Sequence, residues 1–217
     1  MYDYLGCIKA VDEGVGKILD YLDKEGLSEN TVVVYASDQE FYLGEHGWFD
    51  KRWIFEESLR TPCLVRWPGV AKPGGTSGAI TGNIDFAPTL LEAAKVKVPA
   101  GVQGRSSAPL LKGGTPGDWR TSFYYHYYEH PGPHSVPKHY GVVTDRFKLV
   151  RFYEPEFDYS ELFDRKSDPQ ELKSVHGDPK YAETLKELET ELARLRKQLE
   201  VPDPDPPESN LTRPKIK

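Results

Sequence analysis

The chain has 217 residues, of which 38% are hydrophobic and 12% aromatic, and it carries a formal net charge of −6. This length and apolar content suffice for one domain of ordinary size or two small ones. The negative charge and the lack of a basic stripe argue against a nucleic-acid partner, because binding to phosphates requires concentrated positive charge.

The sequence contains no apolar run near the roughly 20 residues that cross a bilayer, so we expect no membrane partner. Residues Met1–Gly6 lack the charged-then-apolar pattern of a signal peptide. As written, the chain is therefore expected in the cytoplasm, or in the periplasm or outside the cell if the true N-terminus is missing. Cys7 and Cys63 have no metal-ligand spacing, which predicts buried free thiols and no disulfide.

The first part of the chain alternates helical and strand patterns. Apolar residues recur at helical spacing from the start, which predicts an amphipathic helix ending at Gly26. The β-branched run Thr31–Ala36 predicts a strand covered on both faces, as in a parallel sheet. Pro62–Trp67 is expected to form the next strand, and Asp85 to N-cap a helix over residues 86–95.

The pattern changes after the glycine-rich break at residues 112–117, where short strand candidates follow one another and predict a small antiparallel sheet. These candidates are Ser122–Tyr128, Tyr140–Thr144, Phe147–Tyr153 and Ser160–Phe163. Asp145-Arg146 suits a hairpin turn. Asp178-Pro179 should open a helix whose leucine stripe, Leu185–Leu199, covers one face of that sheet.

Three segments follow from these elements. Residues 1–117 are expected to form an α/β part, and residues 118–200 a small antiparallel sheet with a packed helix. Residues 201–217 are rich in proline and poor in apolar side chains, which predicts a disordered or loosely docked tail.

Polar residues gather where the first predicted strand ends, which is where open α/β sheets hold their ligands. Asp38 offers a carboxylate and Gln39 an amide oxygen, and oxygen ligands suit a hard cation such as calcium or magnesium. Calcium takes about six to eight oxygens, so two ligands are a fragment of a site. The alternative interpretation of this dipeptide is an Asx turn at a strand end.

His46 and Lys51 lie farther along the same loop, where Gly44 and Gly47 allow a sharp bend. A lysine ammonium would neutralise a sulfate or phosphate ester, and a histidine could bind its oxygen or protonate a leaving group. Taken singly, His46 also fits a structural residue and Lys51 a solvated surface charge. Their combination with the two oxygen ligands favours an anion-hydrolysing site.

These residues, together with Phe55–Pro62, resemble the second-half signature of the formylglycine-dependent sulfatases, and most closely the bacterial enzymes that act on sugar sulfates. The resemblance extends to about Leu199. It continues through Trp67–Gly69, Asn83–Thr89, Gln103–Ser106, Asp118–Arg120, Tyr124–Tyr127, Glu161–Asp164 and Asp168-Pro169. It implies the C-terminal part of an alkaline-phosphatase-like α/β sheet domain, followed by a small antiparallel sheet with a packed C-terminal helix.

The same resemblance implies roles for individual residues. Asp38 and Gln39 would ligate an active-site calcium, and Lys51 would contact the substrate sulfate. Together with the loop chemistry above, this makes Lys51 and His46 the expected catalytic residues. The expected substrate-binding residues are His126, Glu129, His134 and His139. The implied activity is hydrolysis of sulfuric esters, with a sulfated carbohydrate or an aryl sulfate ester as substrate.

The sequence departs from the family at three points. No stretch fits the Cys/Ser-x-Pro/Ala-x-Arg pattern of the formylglycine nucleophile, and the acidic metal ligands of the family's first half are also missing. Glu40 stands where relatives usually have glycine, which would strain the backbone and repel a sulfate.

We therefore expect the isolated chain to be inactive and to need the missing N-terminal half as partner, or to self-associate through uncovered apolar faces. The alternative is a non-catalytic carbohydrate- or anion-binding module. Its basis would be the tyrosine- and histidine-rich stretch Tyr124–His139, since aromatic faces and imidazoles suit sugar contacts.

Overall fold

The computed structural model describes residues 2–130, 135–203 and 205. Its helices are α1 Tyr2–Lys24, α2 Glu56–Leu59, α3 Phe86–Ala93, α4 Ala108–Leu111 and α5 Ala182–Gln198. Its strands are β1 Val33–Ala36, β2 Cys63–Arg66, β3 Ser122–Tyr127, β4 His139–Thr144, β5 Phe147–Phe152 and β6 Tyr159–Asp164. No helix of the described part is long and apolar enough to span a membrane.

The chain divides into two units. The first comprises Met1–Asp38 and Pro62–Trp119, and the second comprises Gln39–Thr61 and Arg120–Lys217. The chain passes between the units after Asp38, Thr61 and Trp119. The domain boundary expected at residue 117 stays a prediction. The assignment of residues 39–61 to the second unit has no counterpart in the sequence-based division. The predicted disorder of residues 201–217 falls outside the described residues, except for 201–203 and 205.

The first unit contains α1, whose end matches the predicted stop. Gly26 takes a left-handed φ of 67°, and the Leu27 amide donates to the Leu22 carbonyl at 2.8 Å. This is the glycine-terminated turn that satisfies the last carbonyls of a helix. None of the residues of α1 is buried, so its apolar stripe is exposed or only partly covered by the described part of the chain.

Two expectations for the first unit are wrong. β1 pairs with β2 in an antiparallel sheet, with Val34 opposite Val65, whereas the apolar run suggested a parallel one. A β-branched run indicates that a strand can be covered on both faces, but it carries no information on strand direction. Cys7 and Cys63 are free thiols as predicted, but both are exposed because the faces of α1 and β2 that carry them are uncovered.

Asp85 occupies the N-cap position of α3 as predicted, but its carboxylate makes no hydrogen bond into that helix. It accepts instead from the amides of Gly82 at 2.9 Å and Arg105 at 2.8 Å. The Asp85 carboxylate therefore ties two loops of the first unit together. The local sequence predicts a helix cap, whereas the carboxylate binds the Arg105 amide, 20 residues away, which a local pattern does not indicate.

The second unit is built on a sheet with strand order β3-β4-β5-β6, antiparallel throughout. Residues 145–146 form the predicted hairpin between β4 and β5. α5 packs on one face as expected, with its buried side chains Leu188, Leu192 and Leu195 against Val142, Leu149 and Leu162. Asp178 accepts from the Lys180 amide at 2.9 Å and caps the turn that leads into this helix.

The opposite face of this sheet receives the segment 39–61. Tyr42, Ile54 and Phe55 are buried there in one cluster with Val150, Phe152 and Phe163. Gly141 on β4 makes this packing possible, because a Cβ at that position would lie 2.4 Å from the Leu149 carbonyl oxygen and 2.7 Å from Ile54 Cδ1. The predicted sulfate loop is therefore anchored on the small sheet.

Candidate active site

The loop that carries His46 and Lys51 closes on itself through backbone hydrogen bonds. The Tyr42 amide donates to the Asp50 carbonyl at 2.7 Å, and the Gly44 amide donates to the Trp48 carbonyl at 2.9 Å. Gly44 has a φ of 124° and Gly47 a φ of 77°, which confirms the sharp bend expected from these two glycines. His46 between them is also left-handed, with a φ of 53°.

The His46 ring lies inside an aromatic group. It stacks on Phe55 with 4.6 Å between ring centroids and on Trp48 with 5.5 Å. Its Nε2 lies 3.3 Å from Glu57 Oε2, and the side chain is 9% exposed. These contacts agree with the structural alternative for His46 and explain how a strained backbone conformation is held. A catalytic role for His46 stays a prediction.

The main chain of Lys51 is fixed by two side chains. Gln39 Nε2 and Ser58 Oγ both donate to the Lys51 carbonyl, the serine at 2.6 Å. The Lys51 side chain is half-buried, and it forms no ion pair with any carboxylate of the described part. An ammonium group with an anchored backbone and no internal counterion suits contact with an external anion.

The two predicted metal ligands are consecutive residues, but the division into units falls between them. Asp38 ends a stretch of the first unit and is exposed. Gln39 begins the second unit, where the bond to Lys51 fixes its amide nitrogen. Glu40 is not among the described residues with positive φ, so the expected backbone strain at this position is absent. Its amide donates to the Ser58 carbonyl at 3.3 Å.

His126 is buried, with both ring nitrogens in hydrogen bonds. Nδ1 lies 2.8 Å from Tyr124 Oη and Nε2 lies 2.9 Å from Tyr153 Oη, while Tyr128 stacks on the ring at 3.6 Å. Burial lowers the pKa of His126 to about 4, so the ring is neutral at physiological pH. In this conformation His126 supports the tyrosines around it and offers little surface to a sugar.

His139 is fully buried, which separates it from any substrate in this conformation. Its Nδ1 donates to the Pro137 carbonyl at 2.8 Å, and its Nε2 has no hydrogen-bond partner in the described part of the chain. The ring stacks between Trp53 and Tyr125, each with 5.6 Å between centroids. Burial lowers its pKa to about 4. His134, the remaining expected substrate-binding histidine, lies outside the described residues.

Glu129 is exposed and belongs to a polar group that sequence reasoning missed. Arg52 pairs with Asp50 and also lies 4.0 Å from Glu129, and Tyr127 donates to Glu129 at 3.2 Å. Asp50 and Arg52 flank Lys51 in sequence, which is the only sequence signal for them. Their link to Glu129 depends on the bond from Tyr125 Oη to the Arg52 carbonyl at 2.7 Å, which anchors the loop on β3.

The described residues contain no group of three or more His, Cys, Asp or Glu side chains that could hold a metal ion. The oxygen donors of Asp38 and Gln39 are of the type that a hard cation prefers. These residues therefore fit two positions of a calcium shell and leave the others to groups outside this set. Asp38 and Gln39 thus offer the kind of ligand that calcium prefers, but they do not form a complete calcium site by themselves.

A cleft of about 460 Å³ in the second unit lies apart from this loop. Its lining residues are Glu56, Arg60, Asp145, Arg146, Arg165, Lys166 and Pro169. None of the predicted site residues contributes to it. Two of its arginines are already paired, Arg146 with Asp164 at 2.7 Å and Arg165 with Glu56 at 2.8 Å.

The small antiparallel sheet with its packed helix is the C-terminal part of an alkaline-phosphatase-like sulfatase fold. A phosphonate monoester hydrolase from Silicibacter pomeroyi shows the same architecture, with a TM-score of 0.77 and 29% identity over 87% of this chain and 39% of that one. The chain belongs to the family described as N-sulphoglucosamine sulphohydrolase, C-terminal, whose profile matches residues 44–198.

Among curated relatives, an N-acetylglucosamine-6-O-sulfatase of Bacteroides thetaiotaomicron is 50% identical over 97% of this chain. A solved structure of a protein in complex with its substrate D-glucosamine-2-N,6-O-disulfate has a TM-score of 0.88 and 49% identity, over 93% of this chain and 41% of that one. The chain spans 38% of the length of the Bacteroides relative. The similarity therefore covers the C-terminal part of a sulfatase.

Proposed function

We propose that this chain forms the C-terminal part of a sulfuric ester hydrolase that removes the 6-O-sulfate of a glucosamine-type sugar. The observation that carries the proposal is the 50% identity over 97% of the chain to a protein named N-acetylglucosamine-6-O-sulfatase. The aligned region includes both the sulfate loop and the small sheet, so the similarity applies to both parts of the proposed site.

Lys51 contacts the sulfate in this proposal. Its carbonyl is held by Gln39 and Ser58, and its ammonium has no carboxylate partner in the described part. A lysine whose main chain is already held needs little rearrangement to place its ammonium against the oxygens of the sulfate group. His46 and its aromatic neighbours keep the loop in shape, and its position inside that group supports a positioning role rather than proton transfer.

Asp38 and Gln39 supply two oxygen ligands to a calcium ion in the assembled enzyme. Calcium bound there would offset the charge of the sulfate group. The nucleophile and the remaining ligands come from outside this chain, since no Cys/Ser-x-Pro/Ala-x-Arg stretch occurs in its sequence. The chain alone is therefore expected to release no sulfate.

Glu129, with Asp50 and Arg52, forms the proposed sugar-facing group. Asp50 and Arg52 flank Lys51 in sequence, Arg52 links to Glu129 at 4.0 Å, and Glu129 is 57% exposed. Charged and hydrogen-bonding groups in this arrangement suit the hydroxyl groups of a sugar ring. The side chains of His126 and His139 are buried among aromatic residues, so in this proposal they support the fold and do not touch the sugar.

A chimeric enzyme tests the proposal. The C-terminal part of the Bacteroides relative that aligns with this chain is replaced by the chain itself, and sulfate release from N-acetylglucosamine 6-sulfate is measured. We expect turnover of the 6-sulfate, and loss of it when calcium is chelated. A folded chimera that binds the sugar without releasing sulfate would favour the non-catalytic module, and one that neither binds nor hydrolyses it would reject both.

A further inference from the structure

A continuous series of hydrogen bonds crosses the small sheet from α5 to the chain beyond it. Arg196 Nη1 lies 3.3 Å from Tyr124 Oη, which lies 2.8 Å from His126 Nδ1. On the other side of the ring, His126 Nε2 lies 2.9 Å from Tyr153 Oη, which lies 2.8 Å from Asp205 Oδ2. Five side chains thus form one connected series.

The chemistry of the two ends, together with the neutral state of the ring, determines the direction of every bond. A guanidinium only donates and an ionised carboxylate only accepts, so Arg196 donates to Tyr124 and Tyr153 donates to Asp205. The Tyr153 oxygen then accepts from Nε2–H of His126, and Nδ1 accepts from the Tyr124 hydroxyl. A neutral His126 with its proton on Nε2 satisfies all four bonds. The other neutral tautomer breaks one bond, because Tyr153 has a single proton and cannot donate to both Nε2 and Asp205. The doubly protonated ring is excluded near pH 7, because burial lowers the pKa of His126 to about 4.

The Asp205 carboxylate lies in a pocket of complementary groups. Besides Tyr153, Lys138 Nζ lies 3.9 Å from Asp205 Oδ2, and His126 Nε2 lies 3.9 Å from Oδ1. The carboxylate is 22% exposed and His126 only 4% exposed, so the contact is largely shielded from water. Charge-assisted hydrogen bonds gain strength in such surroundings.

The chain reaches this pocket through a defined helix end. The Leu199 amide donates to the Leu195 carbonyl at 2.9 Å, and the Val201 amide donates to the Arg196 carbonyl at 3.0 Å. Glu200 between them is left-handed, with a φ of 51°. This is the pattern of a helix stop, which lets the following chain leave α5 in a new direction.

We propose that residues 199–203 and 205 form a strap, in which the Asp205 carboxylate binds a pocket made by Tyr153, Lys138 and the buried His126. The bound strap holds the His126–Tyr128 end of β3, from which the expected sugar-binding segment departs. The site is specific for a carboxylate, because its hydroxyl and ammonium both donate. It operates in the chain itself and does not depend on the proposed sulfatase activity.

Native-state proteolysis tests the strap directly. A glutamate-specific protease cuts after Glu200, and the product ending there is quantified by mass. We expect Asp205→Ala and Tyr153→Phe to speed this cleavage about tenfold, because cleavage follows the opened fraction and a charge-assisted bond is lost. Asp205→Asn keeps an acceptor but loses the charge, so it should fall between Asp205→Ala and the unchanged chain.

Asp203→Ala is the matched control, since Asp203 is exposed and lies only two residues from Asp205 in the same strap. It should leave the cleavage rate unchanged. Equal rates for Asp205→Ala and Asp203→Ala would overturn the proposal. Circular dichroism of each variant separates a released strap from a general loss of folding.

The ring nitrogens of His126 give a second, independent measurement. Long-range proton–nitrogen spectra near pH 7 should show a neutral ring with Nε2 protonated and Nδ1 bare. Asp205→Ala should alter the Nε2 signal, because the Tyr153 hydroxyl is then free to reverse, whereas Asp203→Ala should not. A ring with its proton on Nδ1 in the unchanged chain would contradict the series of bonds on which the proposal depends.

Discussion

Several polar side chains of the second unit are partly or fully buried, and the effects of this burial on stability and activity can be measured. Lys51 is held by its main chain and exposes an unpaired ammonium within the described part, whereas the buried histidines are neutral because burial disfavours their charged form. Location in the fold thus separates the proposed anion-binding lysine from the buried histidines, although all of them were candidate site residues in the sequence.

Two buried imidazoles should make the stability of the second unit depend on pH. Burial lowers the pKa of His126 and of His139 from about 6.5 to about 4. The unfolded chain takes up these protons below pH 6.5 and the folded chain does not, so this stability is present above pH 6.5 and lost as the pH falls toward 4. Urea unfolding between these values should show a loss on the order of 2 kcal/mol per imidazole.

His139→Phe provides the control for this pH dependence. The phenyl ring fits between Trp53 and Tyr125 and removes a buried nitrogen that has no partner in the described residues. The variant also loses the hydrogen bond to the Pro137 carbonyl, which offsets that gain, so it should have similar stability at pH 7 and about half the acid loss. An unchanged pH profile would show that His139 titrates normally in the folded chain.

The buried pair of Lys148 and Glu171 yields a prediction about oppositely charged side chains rather than about neutral imidazoles. Lys148 Nζ lies 2.6 Å from Glu171 Oε1, both side chains are fully buried, and Glu56 lies 3.3 Å away. Burial lowers the pKa of Lys148 and raises that of Glu171. Lys148→Ala should cost about 3–5 kcal/mol of unfolding free energy, because it leaves the buried carboxylate with only the more distant Arg165, 3.8 Å away, as counterion.

The double variant Lys148→Met/Glu171→Leu tests the reason for that loss. Replacing both charges with apolar groups removes the desolvation cost along with the attraction, so most of the lost stability should return. Urea unfolding of the two variants and the unchanged chain measures the difference. A double variant no more stable than Lys148→Ala would show that the pair contributes through its hydrogen bonds to Glu56 rather than through charge balance.

At the scale of elements, α5 stabilises the small sheet through its leucine stripe. Leu192 is buried against Val142, Leu149 and Leu162. Leu192→Ala should cost about 2–5 kcal/mol by removing buried methyl groups and leaving a cavity. Glu187→Ala on the exposed side of the same helix should change the unfolding free energy by less than about 0.5 kcal/mol. Equal effects would mean that the helix does not pack on the sheet in solution.

The elements also show how far the sequence predicts this fold. The four strands of the small sheet, the hairpin at residues 145–146 and α5 follow from local periodicity and turn residues, and the structure confirms them. The antiparallel pairing of β1 with β2 and the packing of residues 39–61 on the small sheet were not predicted. Both depend on contacts between residues distant in sequence, which local patterns do not encode.

The candidate site also has features that the sequence predicts and features that it does not. The glycine-bounded loop and Lys51 were predictable because glycine and lysine carry their chemistry locally. The burial of His139 and the link between Arg52 and Glu129 were not, since both follow from the packing of residues 39–61 against β3 and β4. Metal binding by Asp38 and Gln39 stays a prediction.

At the scale of the whole molecule, α1 carries an apolar stripe that the described residues leave uncovered. Its exposed members include Leu5 at 52%, Ile8 at 48%, Val11 at 51% and Ile18 at 60%. A patch of this kind favours association or coverage by another part of a protein. The chain by itself should therefore bind an apolar dye and run as more than a monomer in size-exclusion chromatography.

Ile8→Lys should reduce both dye binding and association, because it puts a charge in the middle of the stripe. Ala10→Lys adds the same charge on the other side of α1 and should have little effect. A monomer that binds no dye before any substitution would contradict the view that this surface needs a cover.

The central claim is that Lys51 of this chain contacts the sulfate of a 6-O-sulfated glucosamine in a complete sulfatase. The most direct test is the turnover number of the chimeric enzyme on N-acetylglucosamine 6-sulfate with Lys51→Ala, compared with Lys173→Ala as an exposed lysine control. We expect a loss of about 100-fold or more for Lys51→Ala, as for other groups that stabilise charge in a transition state, and no loss for Lys173→Ala. Equal turnover by the two variants would contradict the claim.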